Sequence, residues 1–310
     1  MKHALVVPAE AHGKRVDVFV GDALSLSRAK VKALFEGDSI RIDGRRAKKG
    51  VALQAGQKID VEVTETSSTA VADADLSVPV LWEDDVLVFV NKPARVPSQP
   101  LAPNERGTVA NALVSKYPGI EEVGDDPREA GLCHRLDVET SGVMVAAKTR
   151  EAWLAVREQF SGDGSGGSGP GSIDKRYLAL VDGPIADEGT IDVGLAHHGD
   201  HVRVAVLPTD DARPARSHFT VERRAGTRAL VSVRIETGVL HQVRAHLAAI
   251  GAPIAGDALY GGKALPALER FFLHASSLTV RHPVTGKPVR VECPLPDDLR
   301  SVHDAIFVGP

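Results

Sequence analysis

Apolar and polar positions alternate along two short segments near the start of the chain. Residues 40–42 and 58–63 both show the period-two pattern of half-buried strands. Asp43-Gly44 follows the first segment and is typical of a tight hairpin turn. We therefore predict two strands and a hairpin, whose apolar positions are Ile40, Ile42, Ile59, Val61 and Val63.

A helical pattern precedes the hairpin. Ser27 is a favoured helix-capping residue, and apolar residues recur at helical spacing through Val31 and Leu34. Gly37 fits the end of this helix. The helix, the hairpin and the later strand predict a small α+β domain over residues 1–63.

Two stretches without periodicity interrupt the chain. Residues 64–75 are small and polar, which is typical of an interdomain linker. Residues 161–172 are mostly Gly, Ser and Pro, and we expect a flexible surface loop there, between a helix over 151–160 and a strand over 175–181. The second domain then spans residues 76–310.

Composition excludes several classes of protein. Apolar residues make up 43% and charged residues 25% of the chain, as in ordinary globular proteins, and no apolar run reaches the roughly 18 residues that span a bilayer. The N-terminus lacks the apolar stretch of a signal peptide, so we expect a cytoplasmic protein without membrane contact. Cys133 and Cys293 lie outside any CxxC pattern, so neither a disulfide framework nor a cysteine zinc site is expected.

Charge is distributed unevenly along the chain. The net charge of −4 argues against a nucleic-acid partner, yet residues 1–63 carry 12 Lys and Arg against 8 Asp and Glu. Lysine and arginine neutralise RNA phosphates, and this provides most non-specific affinity. An ordinary solvated face is the alternative for each single residue. The candidate RNA-binding residues of this domain are Arg28, Lys32, Arg45, Arg46, Lys48 and Lys49.

One short motif carries the candidate chemistry. Residues 134–142 read HRLDVETSG and lead into an apolar run that predicts a buried strand. Asp137 lies on the loop that enters this strand. Taken alone, an aspartate in such a loop is more often a turn residue than a catalytic one.

The whole motif resembles the signature of the pseudouridine synthases of the large-subunit ribosomal RNA (RluA) type. Further segments resemble the same family in the expected order, so that the resemblance spans about residues 80–297. These segments are VNKP at 90–93, KRYLALVDG at 175–183, HQVRAHL at 241–247, GDALYGG at 256–262 and the tail LHASSLTVRHPVTGKPVRVECPLP. In addition, residues 13–63 resemble the small RNA-binding domain of ribosomal S-four type.

The resemblance implies an α+β fold with a mixed, mainly antiparallel central sheet, flanking helices and a small N-terminal α+β RNA-binding domain. It implies that Asp137 is the catalytic carboxylate and that Tyr177 and Arg244 belong to the active site, while His134 and Arg135 would help hold RNA. The expected partner is RNA, with ribosomal RNA ahead of tRNA. No cofactor, metal or obligatory protein partner is expected.

The reaction makes sense of these residue types. Uridine becomes pseudouridine when its N1 glycosidic bond breaks, the base turns and C5 joins the sugar, without redox change. A carboxylate can attack the sugar or assist departure of the base, and a nearby arginine favours its charged form. Tyr177 offers a face for an extruded uracil, although it could be a core strand residue. Arg135 could simply brace the loop, and Arg244 could be a surface helix residue.

Two departures from the family pattern affect substrate placement. The family usually has Gly-Arg-Thr before HQ, where this chain has Gly238-Val239-Leu240. The usual KPAGL becomes Lys92-Pro93-Ala94-Arg95-Val96. A cation beside the motif helix is thus lost, and one is gained at Arg95.

Other functions fit the sequence less well. His197, His198 and His201 could suggest a metal, but they lack a companion carboxylate at fixed spacing, and we expect a solvated loop. Ser141 lacks the GxSxG elbow of serine hydrolases. A nucleoside hydrolase would need a second carboxylate or a metal. A non-catalytic RNA-binding or ribosome-assembly factor on the same fold stays as the alternative.

Overall fold

The chain forms two compact units, residues 1–67 and 68–310. The computed structural model describes residues 2–24, 26, 31–32, 34–35, 37–62, 69–161, 173–199, 201–205 and 212–309. Within these ranges, no helix is both long and apolar enough to cross a membrane.

The first unit is a small antiparallel sheet packed against helical segments. Its strands follow the order β1-β4-β2-β3, and each neighbouring pair is antiparallel. The side chains between sheet and helices form one apolar core. Its elements are β1 (Lys2–Val6), a 3₁₀ turn (Ala9–Ala11), α1 (Val16–Ala23), β2 (Ile40–Ile42), β3 (Arg45–Arg46) and β4 (Lys58–Glu62).

The predicted hairpin is confirmed. Asp43 and Gly44 both have positive φ angles, 49° and 76°, as a tight two-residue turn requires. Ile59 and Val61 are buried on one face of β4, as their alternation predicted. The predicted helix is seen at Val31, Lys32, Leu34 and Phe35, whereas its expected cap and Arg28 lie outside the described residues.

Two elements of this unit were not predicted from the sequence. Strand β1 has a half-exposed pattern and exists because it pairs with β4 over its whole length. Helix α1 has only eight residues and no side-chain cap at its start. Both depend on tertiary packing more than on a local signal.

The second unit is built on a nine-stranded mixed sheet. Eight strands follow the order β5-β6-β7-β15-β8-β14-β13-β9, and β16 pairs with β15. The strands of the unit are β5 (Val80–Glu83), β6 (Leu87–Lys92), β7 (Ser141–Ala147), β8 (Asp174–Asp182), β9 (Glu188–Asp192), β10 (Leu195–His198), β11 (His201–Val204), β12 (Ala212–Arg213), β13 (Arg216–Ala225), β14 (Arg228–Ile235), β15 (Leu273–Arg281) and β16 (Pro288–Glu292).

Helices cover this sheet, and apolar clusters fill the space between the layers. The helices are α2 (Val109–Lys116), α3 (Arg150–Ser161), α4 (Gln242–Ala249) and α5 (Asp297–Phe307), with 3₁₀ turns at Ile120–Glu122 and Ala258–Tyr260. The prediction of an α+β fold with a mixed, mainly antiparallel sheet is confirmed. So are the helix before the Gly/Ser stretch and the strand after it, while residues 162–172 lie outside the described part.

The centre of the sheet receives the HRLDVETSG motif. Strand β7 is buried along its length and pairs in parallel with β15, whereas the other pairings of this sheet among the described residues are antiparallel. Gly142 has a φ of 123°, and a Cβ there would lie 2.2 Å from the backbone oxygen of Ala275. Only glycine allows this close approach of β7 to β15. The last motif residue therefore fixes where the loop that carries Asp137 enters the sheet.

Two sequence expectations need correction. Residues 69–75, assigned above to a linker, lie against the second unit: Ala70 is buried in its core, and Asp73 accepts a hydrogen bond from the Gly107 amide. The HHGDH segment, expected to be a loop, is part of a hairpin of β10 and β11 with Gly199 near its tip, and His197 and His198 are exposed, as expected for a solvated segment. Residues 69–75 are small and polar and have no apolar periodicity that would predict packing. In the HHGDH segment, Gly and Asp are typical of loops, and the flanking strands are too short to show a clear pattern.

Candidate active site

Asp137 and Arg244 come together at one end of the central sheet. Arg244 Nη1 donates a hydrogen bond to Asp137 Oδ2 at 3.2 Å, although 107 positions separate them in the chain. Strand β14 and the turn after it deliver α4, so that Arg244 projects from the first turn of this helix. Asp137 keeps 21% of its side chain exposed, whereas Arg244 keeps 7%. The carboxylate therefore remains accessible while its cationic partner is buried.

A second carboxylate anchors Arg244. Asp257 accepts from Arg244 Nε at 2.7 Å and from Nη2 at 2.9 Å, a bidentate arrangement that uses the planar guanidinium fully. The guanidinium also lies over the rings of Tyr260 and Phe271, at 5.1 and 4.4 Å from their centroids. Burial opposes the charge, but the hydrogen bonds and charges of Asp257 and Asp137 raise the pKa of Arg244 above its usual value. Arg244 is thus a fixed positive charge aimed at Asp137.

Ser98 and Lys92 hold the backbone on the two sides of Asp137, at Leu136 and Val138 respectively. The Lys92 ammonium is fully buried and donates to the carbonyls of Pro93, Val96 and Val138 at 2.7–2.9 Å. Burial lowers the pKa of Lys92 to about 7, against the opposing effect of the Asp137 charge. Ser98 Oγ donates to the Leu136 carbonyl and accepts from the Leu136 amide.

Arg270 holds the same loop farther along the chain, at Glu139 and Ser141. It is buried, donates to the Glu139 carbonyl at 3.0 Å and reaches Ser141 Oγ at 3.3 Å. Asp298 at the start of α5 accepts from Arg270 Nε at 2.7 Å. Ser141 Oγ in turn lies 2.9 Å from Nδ1 of the buried His274. Lys92 at the end of β6, Ser98 and Arg270 thus fix the backbone on both sides of Asp137, while Asp298 of α5 and His274 of β15 hold the side chains of Arg270 and Ser141.

Tyr177 lies on β8 beneath the site. Its partly buried ring packs against two of the apolar clusters, so it is also a core residue, as the alternative interpretation held. Burial raises the pKa of the Tyr177 phenol, and the nearby charge of Asp137 raises it further. The hydroxyl makes no hydrogen bond with the described residues. A protonated phenol with a free polar end therefore lies close to the carboxylate.

The two motif residues that were expected to contact RNA, His134 and Arg135, have different surroundings. His134 stacks on Phe160 with centroids 4.6 Å apart, and its Nε2 accepts from the Val145 amide. Burial, with the charge of Lys175, lowers the pKa of His134 to about 3. His134 is therefore a neutral residue that holds the motif against β7, and its expected role in RNA contact stays a prediction. Arg135 is exposed and stays a candidate for that role.

His241 faces Asp137 from the start of α4. Its Nε2 lies 3.9 Å from Asp137 Oδ2, and its Nδ1 lies 3.1 Å from the Tyr260 hydroxyl. The backbone is left-handed, with a φ of 53°. Burial lowers the pKa of His241, and Arg244 adds to this effect while Asp137 and Asp257 oppose it.

Arg95 and Leu240 mark the departures from the family pattern. Arg95 has a φ of 65°, its amide donates to the Val138 carbonyl, and its side chain pairs with Glu269 at 2.8 Å. Glu139 lies 3.9 Å from the same guanidinium. Leu240 is 37% exposed immediately before His241. Both positions lie beside residues of the site and can influence substrate placement.

Five of the six candidate RNA-binding residues of the first unit lie in the described part of the chain, and these five are exposed. Arg45 and Arg46 form β3, Lys48 and Lys49 follow it, and Lys32 is on the exposed face of its helix. Arg46 pairs with Asp38. A cluster of exposed cations around one hairpin fits contact with phosphates.

The sequence did not single out Lys92, His241, Asp257 or Arg270. Asp257 lies in the GDALYGG segment and Lys92 in VNKP, so both stood within segments that resembled the family. Of the residues that the structure describes, no group of three His, Cys, Asp or Glu could hold a metal.

Comparisons with known proteins agree with this geometry. Residues 86–249, more than half of the chain, match the family described as RNA pseudouridylate synthase. Ribosomal large subunit pseudouridine synthase D of Xanthomonas campestris pv. campestris is 35% identical, with 97% of this chain and 91% of that protein covered. The protein of the same name from Nitrosomonas europaea is 33% identical, with 97% and 87% covered.

Other similar proteins extend the same result. A protein of Chloroflexus aurantiacus described as an uncharacterized RNA pseudouridine synthase is 34% identical, with 97% of this chain and 92% of that protein covered. Among solved structures, human RNA Pseudouridylate Synthase Domain Containing 4 superposes with a TM-score of 0.56 at 25% identity. It covers 73% of this chain and 92% of its own.

Proposed function

Because the chain belongs to the RNA pseudouridylate synthase family, and is thus an isomerase of uridines in RNA, we propose that it acts on large-subunit ribosomal RNA through Asp137. The relatives named above as ribosomal large subunit pseudouridine synthases, aligned over 97% of the chain, support this substrate. The observation that supports the site best is an accessible carboxylate paired with a buried arginine.

We assign the first step to Asp137. The carboxylate attacks the ribose or assists departure of uracil as the bond between N1 and C1′ breaks. Arg244 lies at hydrogen-bond distance from Oδ2, whereas Oδ1 makes no hydrogen bond with the described residues and can approach the sugar. Asp257 keeps the guanidinium from turning away. The pair thus orients one carboxylate oxygen toward the substrate.

Turning the base requires a site that holds uracil without binding it covalently. The partly exposed Tyr177 ring offers a flat surface for the extruded base. After C5 joins the sugar, the C5 proton leaves and N1 gains a proton. The Tyr177 phenol can donate or relay a proton. Because its pKa is raised, the phenol stays protonated in the substrate-free protein and is not available there as a base.

The first unit supports RNA capture. We assign its exposed cluster of Arg45, Arg46, Lys48 and Lys49 to phosphate contacts, as in a domain of ribosomal S-four type. Arg135, beside the catalytic loop, is assigned to the RNA near the target. A non-catalytic RNA-binding factor is not favoured, because such a protein would not need Asp137 and Arg244 in this geometry.

Mapping of pseudouridines in total RNA, with and without the gene, tests the substrate. We expect pseudouridine to disappear from defined positions of large-subunit ribosomal RNA and to return with wild-type protein. The D137N variant should not restore it, whereas D187N should, because Asp187 also pairs with an arginine but is 90% exposed. Loss confined to tRNA would contradict the substrate, and restoration by D137N would contradict the catalytic carboxylate.

A further inference from the structure

His241 occupies a backbone position that histidine does not favour. It precedes the first residue of α4, where Ser, Thr, Asp or Asn would normally accept a hydrogen bond from a helix amide, and its side chain makes no such bond. Its left-handed conformation also costs a non-glycine residue on the order of 1 kcal/mol. A residue that breaks two local rules beside a reactive carboxylate indicates a function for its side chain.

Tyr260 holds the imidazole in place. The Tyr260 hydroxyl lies 3.1 Å from His241 Nδ1 and also contacts the backbone of Val202 on β11. The rings of His241 and Tyr260 meet edge to face at 5.8 Å. The hydroxyl accepts from the Val202 amide, and when its own proton is donated to Nδ1 rather than to the Val202 carbonyl, the imidazole proton lies on Nε2, which faces Asp137. Among the described residues, nothing donates to or accepts from His241 Nε2 by a hydrogen bond.

Asp137 Oδ2 and His241 Nε2 are separated by 3.9 Å. That distance is too long for a good hydrogen bond between them, but both atoms can bind one hydroxyl group placed between them. A hydroxyl can donate to the carboxylate and accept from an imidazole N–H at the same time.

The proposed function defines which hydroxyl reaches this position. The reacting atom is C1′ of the target ribose, and the hydroxyl on the neighbouring carbon is the 2′-hydroxyl. We propose that His241 Nε2 binds the 2′-hydroxyl of the target uridine together with Asp137, which aligns C1′ and selects RNA over DNA. A hydrogen bond to the hydroxyl beside the reacting carbon strengthens as the glycosidic bond breaks.

The inference rests on the proposed function and is tested with the uridine that mapping identifies. Two stem-loop RNAs carry that site and differ only in uridine or 2′-deoxyuridine at the target. Single-turnover rates are measured for wild type and H241N. Asparagine accepts the left-handed backbone and can reproduce the Nδ1 contact to Tyr260, but it has no atom at the Nε2 position. H303N, in α5, is the matched histidine control.

We expect the 2′-deoxy substrate to react about 10- to 100-fold more slowly than the all-ribose substrate with wild type and H303N. H241N should lose a similar factor on the all-ribose RNA and then discriminate less than about 3-fold between the two substrates. KM should change less than kcat. An equal 2′-deoxy penalty in wild type and H241N would overturn the contact.

A purely structural role of His241 predicts a different result. With such a role, Y260F, which loses the hydroxyl at Nδ1, would behave like H241N. Our proposal predicts instead that Y260F still distinguishes the two substrates, with a logarithm of the all-ribose to 2′-deoxy rate ratio at least half that of wild type. H241N folding is checked by thermal unfolding; if that variant does not fold, H241Q enters the same comparison, and retention of the full penalty there contradicts the contact. Failure of wild type on the all-ribose RNA would contradict the proposed substrate instead.

Discussion

The chain uses arginine and lysine in two opposite ways. In the first unit, Arg45 and Lys48 are exposed beside a hairpin, where water and salt weaken their interactions. In the second unit, Arg244 and Arg270 are buried and hydrogen-bonded to carboxylates. Exposed cations are suited to attracting any phosphate backbone, whereas buried cations are suited to holding one geometry. Burial, more than the number of charges, distinguishes the cations that we propose for the active site from those that we propose for RNA binding.

The largest effect should come from removing a buried charge next to Asp137. R244Q should lower kcat by about 10²- to 10³-fold, because a positioned charge at the reacting group is lost. It should also destabilise the second unit by about 3–5 kcal/mol, because Asp257 is left buried without its partner. Rates on the mapped RNA and urea unfolding measure the two effects.

The double variant R244Q/D257N separates these two consequences. Removing both charges should restore most of the stability, since no uncompensated carboxylate remains. Activity should stay low, because Asp137 still lacks its partner. Recovery of activity in the double variant would contradict a direct role of Arg244.

A smaller effect is expected where a buried arginine acts through the backbone. R270Q should lower kcat by about 10- to 100-fold with little change in KM, since the Glu139 and Ser141 anchors of the catalytic loop are removed. D298N should be milder, because Arg270 can keep those anchors without its carboxylate partner. A rise in KM with unchanged kcat would mean that Arg270 serves binding rather than positioning.

Acidic pH should lower the stability contributed by His274, whose ring contacts Ser141 at the end of the same loop. Burial lowers the pKa of His274 to about 4, so the unfolded chain binds a proton below about 6.5 that the native protein refuses until about pH 4. Stability contributed by neutral His274 is therefore complete above pH 6.5 and is lost as pH falls toward 4, by at most about 1.4 kcal/mol per pH unit. Urea unfolding of wild type and H274Q between pH 7 and 4.5 measures the difference. Parallel curves for the two proteins would exclude this origin.

The smallest effect on chemistry should come from the exposed cluster. R45Q/R46Q/K48Q/K49Q should weaken RNA binding. The slope of the logarithm of the binding constant against the logarithm of the salt concentration should become shallower by about 0.7–0.9 for each phosphate that is no longer neutralised. The single-turnover rate at saturating RNA should change less than about 3-fold. R223Q/R224Q/R281Q/R290Q removes equal charge from exposed positions of the second unit. If both quadruple variants weaken binding equally, the cluster has no special role.

Much of this organisation could be predicted from the sequence. Periodicity located the hairpin, β4 and the strand after the motif, because each has a local pattern. The ordered resemblance brought Asp137 and Arg244 into one site, and the structure places them 3.2 Å apart. The catalytic roles of Asp137, Tyr177 and Arg244 stay proposals.

The supporting residues could not be found in this way. Arg270 acts on backbone atoms of residues more than 100 positions away, and Asp257 has no local pattern that predicts burial. The surroundings of His134 could not be found either, because the Phe160 ring that stacks on it and the burial that lowers its pKa arise only in the assembled fold. Burial of a polar side chain is a property of the assembled fold, and periodicity reports it only for apolar residues.

The side chains that hold the loop around Asp137 form hydrogen bonds with its main-chain atoms. Leu136, Val138 and Glu139 are all held through their amides or carbonyls, so these anchors do not depend on the side chain at position 138. Val138 is 45% exposed beside Asp137. New side chains can therefore be tried at position 138 while Asp137 stays in place. Substrate preference can change in small steps here without each step endangering the reaction.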